Sequence, residues 1–304
     1  MRVRKRRIRE GAFQHLYQNT CRGVLLFYDD MDRLVFYTVY SVNVRKYDAQ
    51  VLAFALMYDH AHSLVRLKDP FRMGDFVRDY TSSYAMEFNR DCGRCGPLFR
   101  CAYGNAPKAG AKKIRTAVSY VNNNSVEKLL FGQAEEDRWN LLAYLANPHP
   151  FSEPIVLKQA SRRLRRSLKR VEAFSKSNAW LSYRILRQLF DGLSDKEARQ
   201  LKDFIILKYY PIDKDELMLL YHDYQTLLTA VNSNTGSEYD IKEDFDSGPH
   251  TIYRKLLEVC SQSSFAGNPK MLVTIPLSQK KRIAGILQQR TQAELYQIKK
   301  LLDF

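Results

Sequence analysis

His60 and His62 stand two residues apart in MYDHAHSL. The surrounding run, 51–67 (VLAFALMYDHAHSLVRL), has the composition of one strand or a strand pair. Strand side chains alternate between faces, so both imidazoles project the same way. Two neutral imidazoles side by side suit a divalent cation. An H-x-H is also a common incidental pattern. A second pair lies in AVSYVNNNSVEKLL, where Asn124 follows Tyr120 by four residues. On a helix that spacing puts both on one face, one turn apart. An amide oxygen is an acceptable ligand for Mg²⁺ or Mn²⁺. Taken alone, Tyr120 also reads as a core tyrosine, one of 19 in the chain.

The elements that must position these residues follow from periodicity and turn signals. Residues 12–21 and 24–28 read as strands, and 30–46 as a helix. Met73, Phe76, Val77, Tyr80, Tyr84 and Phe88 recur at three- and four-residue steps, which predicts a helix over 71–90. A turn at CGRCGP leads to a short strand at LFRCAY, and 109–131 reads as a helix carrying Tyr120 and Asn124. From about 134 the pattern is helical only. Pro148, Pro150 and Pro154 punctuate the junction and place a domain boundary near 150. Helices are predicted at 157–174, 178–192, 194–208 and 213–231. The chain thus divides into a mixed α and β unit (1–150), a helical region (151–231), a flexible acidic linker (232–249) and a second helical region (250–304). Residues 231–249 hold five carboxylates and one lysine, the composition of a linker. The last thirty residues form two short helical patterns split around Thr291, consistent with either a helix-turn-helix-like element or a plain helical hairpin.

The charge points to a polyanionic partner. The 304 residues include 48 Lys+Arg against 33 Asp+Glu, a net charge of +15. Two blocks concentrate it. One is 1–10, with Arg2, Arg4, Lys5, Arg6 and Arg7. The other is 161–170, with Arg162, Arg163, Arg165 and Arg166. Both suit a phosphate backbone. Neither is flanked by an apolar run of spanning length, which argues against a membrane partner, and the basic start lacks the apolar stretch of a signal peptide. The expected location is the cytoplasm, next to the nucleoid. Five cysteines fit a reducing compartment. Cys92, Cys95 and Cys101 form C-x2-C-x5-C without an evident fourth ligand, and read as ordinary residues of a turn.

Together these pieces resemble the single-tyrosine HUH transposases, most closely the REP-associated tyrosine transposase branch. The likeness spans roughly 3–131. It rests on RKRRIREGAFQHLYQN (a basic lead into a strand with a histidine), LAFALMYDHAHSLV, FNRDCGRCGPLFRCAY and SYVNNNSVEKLL, in that order. The resemblance implies an α+β fold, a ferredoxin-like antiparallel sheet with helices, followed here by the all-helical region. It implies Tyr120 as the nucleophile, and His60, His62 and Asn124 as ligands of Mg²⁺ or Mn²⁺. The substrate it implies is single-stranded or hairpin DNA, cut to a 5′-phosphotyrosine. Some relatives act as intertwined homodimers and others as monomers. Three positions depart from the family pattern: Asp59 in place of asparagine, Asn19 in place of arginine, and Ser125 in place of proline. None removes a reacting group. A domesticated DNA-binding protein without catalysis is the alternative, and the intact set of His60, His62, Tyr120 and Asn124 argues against it.

Overall fold

The computed structural model describes residues 9–99, 103–233, 248–262 and 268–304. Strands and helices first alternate: β1 (Phe13–Asn19), α1 (Asp30–Lys46), β2 (Ala49–Leu56), β3 (His60–Leu67), α2 (Met73–Cys92), β4 (Gly104–Lys108) and α3 (Ala111–Glu127). The strands form one sheet in the order β2-β3-β1-β4, with every pairing antiparallel. This is the ferredoxin-like β-α-β-β-α-β arrangement that the resemblance implies, with α3 added after it.

Alternation along the strands divides the core. Leu16, Phe54 and Val65 belong to one apolar cluster with Phe36 and Tyr40 of α1 and Phe76 and Tyr84 of α2. Phe13 and Leu64, on the other face, pack with Ala117, Val118 and Val121 of α3. The sheet is therefore a middle layer, with α1 and α2 on one side and α3 on the other. A register irregularity between Val51 and Ala53 interrupts the β2–β3 ladder.

Eight helices follow among the described residues: α4 (Arg162–Lys176), α5 (Tyr183–Phe190), α6 (Asp195–Lys208), α7 (Lys214–Tyr221), α8 (Tyr224–Asn232), α9 (Thr251–Gln262), α10 (Leu277–Thr291) and α11 (Leu295–Leu302). Helix α5 packs on α1, α4 packs on α5 and α6, α8 packs on α3, and α9, α10 and α11 pack on one another. Leu164, Leu201, Tyr253 and Leu301 share the apolar cluster of Phe36 and Phe54, so that cluster runs on past residue 150. No helix among the described residues is long and apolar enough to cross a membrane.

Several local expectations are corrected. Residues 24–28 are buried but form no strand. Their N–H groups bond singly to carbonyls outside any ladder: Leu25 to Lys300 O (3.1 Å), and Leu26 and Phe27 to Tyr58 O (2.7 and 3.1 Å). The strand expected at LFRCAY is reduced to one bridge, Phe99 to Thr20, and residues 100–102 lie outside the described residues. The fourth strand is instead GNAPK, at the sheet edge, where Pro107 costs no ladder bond that a central strand would need. A Cβ at Gly104 would fall 1.8 Å from the Tyr17 ring on β1, so only glycine lets that ring cross the edge strand. The helix expected over 213–231 breaks at His222 (φ 67°), and the Asp223 carboxylate starts α8 by accepting from Thr226 N at 2.7 Å. Helices α4 and α5 begin later than expected, where Ser161 and Ser182 cap them. The linker stretch 232–249 lies mostly outside the described residues.

Candidate active site

The antiparallel pairing of β1 and β3 sets His60 opposite Asn19 and His62 opposite Tyr17. His60, His62 and Leu64 share one strand face, and Leu64 packs under α3, so the imidazoles look toward that helix. Tyr120 meets them there. Its ring centroid lies 5.8 Å from that of His62 and 5.5 Å from that of His15, both edge-on. The His60 and His62 rings are 4.8 Å apart. Asn124 follows on α3, 2% exposed, and its side-chain amide donates to the Tyr120 carbonyl at 3.1 Å. That donation occupies the nitrogen, so ligation would fall to the amide oxygen. The structure thus gathers Tyr120 and both expected histidines at one place, with Asn124 one helical turn along.

Two residues missing from the sequence-based ligand set stand in contact with it. His15 on β1 places its Nε2 3.1 Å from His62 Nδ1, with the rings stacked at 5.3 Å. Its signal in the sequence was a lone strand histidine, which becomes informative only once β1 and β3 are paired. His250, just before α9, has its ring centroid 5.8 Å from that of His60. Nothing in the sequence links it to His60, because the contact depends on how the C-terminal helices pack.

Asp59 lies beside His60. Its Oδ1 lies 2.6 Å from His60 Nδ1, and its Oδ2 accepts from Lys300 Nζ at 3.0 Å. Burial pushes the Asp59 carboxyl up. The charge and hydrogen bond of His60, together with His250 and Lys300, outweigh it and hold the group well below the usual carboxylate range. Burial pushes His62 well below its ordinary value, helped by His60 and His15. Burial and the charge of Lys108 push His15 down to about 3. His15 and His62 are therefore neutral near pH 7, the form in which imidazole binds a cation.

The donor set fits a divalent cation. The Nδ1 atoms of His60 and His62 face Asp59 and His15, so ligation would use Nε2 of each. A histidine held through its other nitrogen is the usual arrangement in metal sites. Two imidazoles and one amide oxygen suit Mn²⁺ or Mg²⁺.

The other expected residues lie elsewhere. Arg162, Arg163, Arg165 and Arg166 are exposed on α4, and Arg162, Arg165 and Arg166 line a shallow groove with Lys169 and Arg170. Through α5 this helix stands on the α1 side of the sheet, across from Tyr120. Arg2, Arg4, Lys5, Arg6 and Arg7 lie outside the described residues, as does Cys101. Cys92 is buried in α2 and directed at the Phe88 carbonyl (3.3 Å), while Cys95 is exposed.

Residues 19–124 match the family described as "Transposase IS200 like". That segment is similar to the IS200-like transposases. It holds both histidines of the H-x-H, Tyr120 and Asn124, and it ends at Asn124. Of the solved structures, a REP-associated tyrosine transposase bound to a REP hairpin aligns with 53% of this chain and 98% of its own, at 14% identity and a TM-score of 0.40. No curated protein matches the chain.

Proposed function

We propose that this protein breaks and rejoins single-stranded DNA, at hairpin-containing sites, through a 5′-phosphotyrosine on Tyr120. One observation carries the reading: within an IS200-like transposase segment, a tyrosine on α3 is laid 5.8 Å, ring to ring, from the second histidine of an H-x-H on β3. His60, His62 and Asn124 would hold Mg²⁺ or Mn²⁺, which when bound supplies charge to a phosphate oxygen and polarises phosphorus.

The remaining steps belong to the chain. The Tyr120 oxygen, having lost its proton, attacks phosphorus in line. The bond from phosphorus to the 3′ oxygen breaks, and that oxygen leaves as a free 3′-hydroxyl after taking up a proton. The covalent link conserves the bond, so a second 3′-hydroxyl can attack it, release Tyr120 and join strands without ATP. Helix α3 fixes the phenol on the histidine side of the sheet, and His15 and Asp59 hold the two imidazoles in orientation.

The test is strand transfer. Labelled hairpin oligonucleotides carrying the gene's own flanking sequence are incubated with the protein and Mn²⁺. Cleaved and rejoined products are expected, and both disappear with EDTA or in His60→Ala/His62→Ala. Tight binding of the same oligonucleotides with no product under any metal would instead establish a DNA-binding protein without catalysis.

A further inference from the structure

His250 is 1% exposed, and neither ring nitrogen has a hydrogen-bond partner among the described residues. A buried imidazole left in this way costs stability unless something else uses it. Its Nε2 lies 3.8 Å from Asp59 Oδ1, too far for a hydrogen bond. The same oxygen is 2.6 Å from His60 Nδ1. One donor atom from each of Asp59, His60 and His250 falls within 4.8 Å of the others. Donors about 2.1 Å from a tetrahedral cation stand roughly 3.4 Å apart. Opening the 2.6 Å contact and closing the widest one, by up to about an ångström each, would therefore seat an ion among the three.

We propose that Asp59, His60 and His250 form a second divalent-cation site, distinct from that of His60, His62 and Asn124 and exclusive of it. Two imidazoles and a carboxylate suit Zn²⁺ and Mn²⁺. The exclusion follows from His60. A neutral imidazole has one lone pair for a cation and carries its proton on the other nitrogen. With the proton on Nδ1, facing Asp59, His60 offers Nε2 to the catalytic set. With a cation at Nδ1, the proton moves to Nε2 and His60 is withdrawn from that set. The Asp59 oxygen then exchanges a hydrogen bond for a metal bond. The site also ties the β3 end of the sheet to the segment before α9, so an ion there clamps the C-terminal helices onto the nuclease segment.

The exclusivity rests on the catalytic reading above; the existence of the site does not. The test measures Mn²⁺ and Zn²⁺ binding to the full chain by titration calorimetry, with the rise in melting temperature on adding each ion. His250→Phe keeps a ring between Tyr58 and Tyr253, and His250→Gln is used if that variant does not fold. His250 variants are expected to lose the Zn²⁺-induced rise and to weaken Zn²⁺ binding by at least about tenfold, while His62→Ala and Asn124→Ala retain both. Lys300→Met, which removes a positive charge 3.0 Å from Asp59, is expected to tighten Zn²⁺ binding severalfold. Strand transfer gives the independent reading of exclusivity. Excess Zn²⁺ should inhibit the wild type and not His250→Phe. Zn²⁺ binding and thermal shifts in folded His250 variants equal to wild type overturn the site. Loss of all binding in His62→Ala or Asn124→Ala, with none in the His250 variants, leaves the catalytic site standing alone. The converse result leaves only the site proposed here.

Discussion

At the scale of single residues, the account turns on how each imidazole is held. His62 is fixed through Nδ1 by His15, which is itself fully buried. Replacing His15 with Phe keeps the ring volume and removes that partner. Mn²⁺ affinity is expected to fall roughly tenfold to a hundredfold, while far-UV circular dichroism is unchanged. Unaltered Mn²⁺ affinity in His15→Phe would mean that His15 is core packing only. The H-x-H, Tyr120 and Asn124 were legible in the sequence, because strand and helix periodicities fix which side chains share a face. His15 and His250 were not, since their roles arise from pairing and packing between distant segments.

At the scale of elements, the helix over 30–46 was readable to its ends. Asp29 caps it through Asp32 N at 2.9 Å, acids fill its first turn, and Arg45 and Lys46 close it. The edge strand GNAPK was not readable, because glycine, asparagine and proline are poor strand formers and only pairing with β1 makes it one. A buried acid gives a pH test at this scale. Asp137 caps the 3-10 turn Arg138–Asn140, and burial pushes its carboxyl from 3.8 up to about 6, opposed by the Trp139 N–H it accepts. The folded chain thus holds this proton more tightly than the unfolded chain does. The contribution is fully present below about pH 4 and is lost as pH rises through about 6, by roughly 3 kcal/mol. Asp137→Asn keeps an acceptor for Trp139 N–H and carries no charge. It is expected to be more stable than wild type in urea at pH 7.5 and equal to it near pH 4. A variant less stable at pH 7.5 contradicts this. Helix α4 has its own test. Replacing Arg162, Arg165 and Arg166 with Gln should flatten the salt dependence of single-strand binding by roughly 0.7 in slope for each phosphate that α4 no longer neutralises. An unchanged slope removes α4 from the DNA path.

At the scale of the whole molecule, the C-terminal helices are tied to the sheet-bearing segment by buried polar contacts as well as by the shared core. Lys270, 1% exposed, bonds Asp32 of α1 at 2.7 Å and Asp91 of α2 at 2.5 Å. Tyr28 donates to the Leu301 carbonyl at 2.8 Å, and Arg94 pairs with Asp303 at 3.0 Å. Lys270→Met would leave the buried Asp32 carboxylate without a cation, while Arg187 still pairs with Asp91, and a decrease of about 3–5 kcal/mol is expected in urea unfolding at pH 7. A decrease under about 1 kcal/mol would place that pair among solvated surface contacts. This attachment was invisible in the sequence, where the prolines near 150 marked a junction but not what packs across it. The same attachment brings His250 and Lys300 to Asp59, beside the histidines.

The most direct test of the central claim is the location of the covalent adduct. The protein is reacted with a cleavable hairpin oligonucleotide and Mn²⁺, digested with nuclease and trypsin, and analysed by tandem mass spectrometry. The account predicts a nucleotide phosphate on the peptide spanning 116–128, fragmenting to Tyr120, and no adduct in Tyr120→Phe, which should bind the same DNA within about twofold of wild type because only a hydroxyl is removed. An adduct on any other residue, or one that persists in Tyr120→Phe, would contradict it.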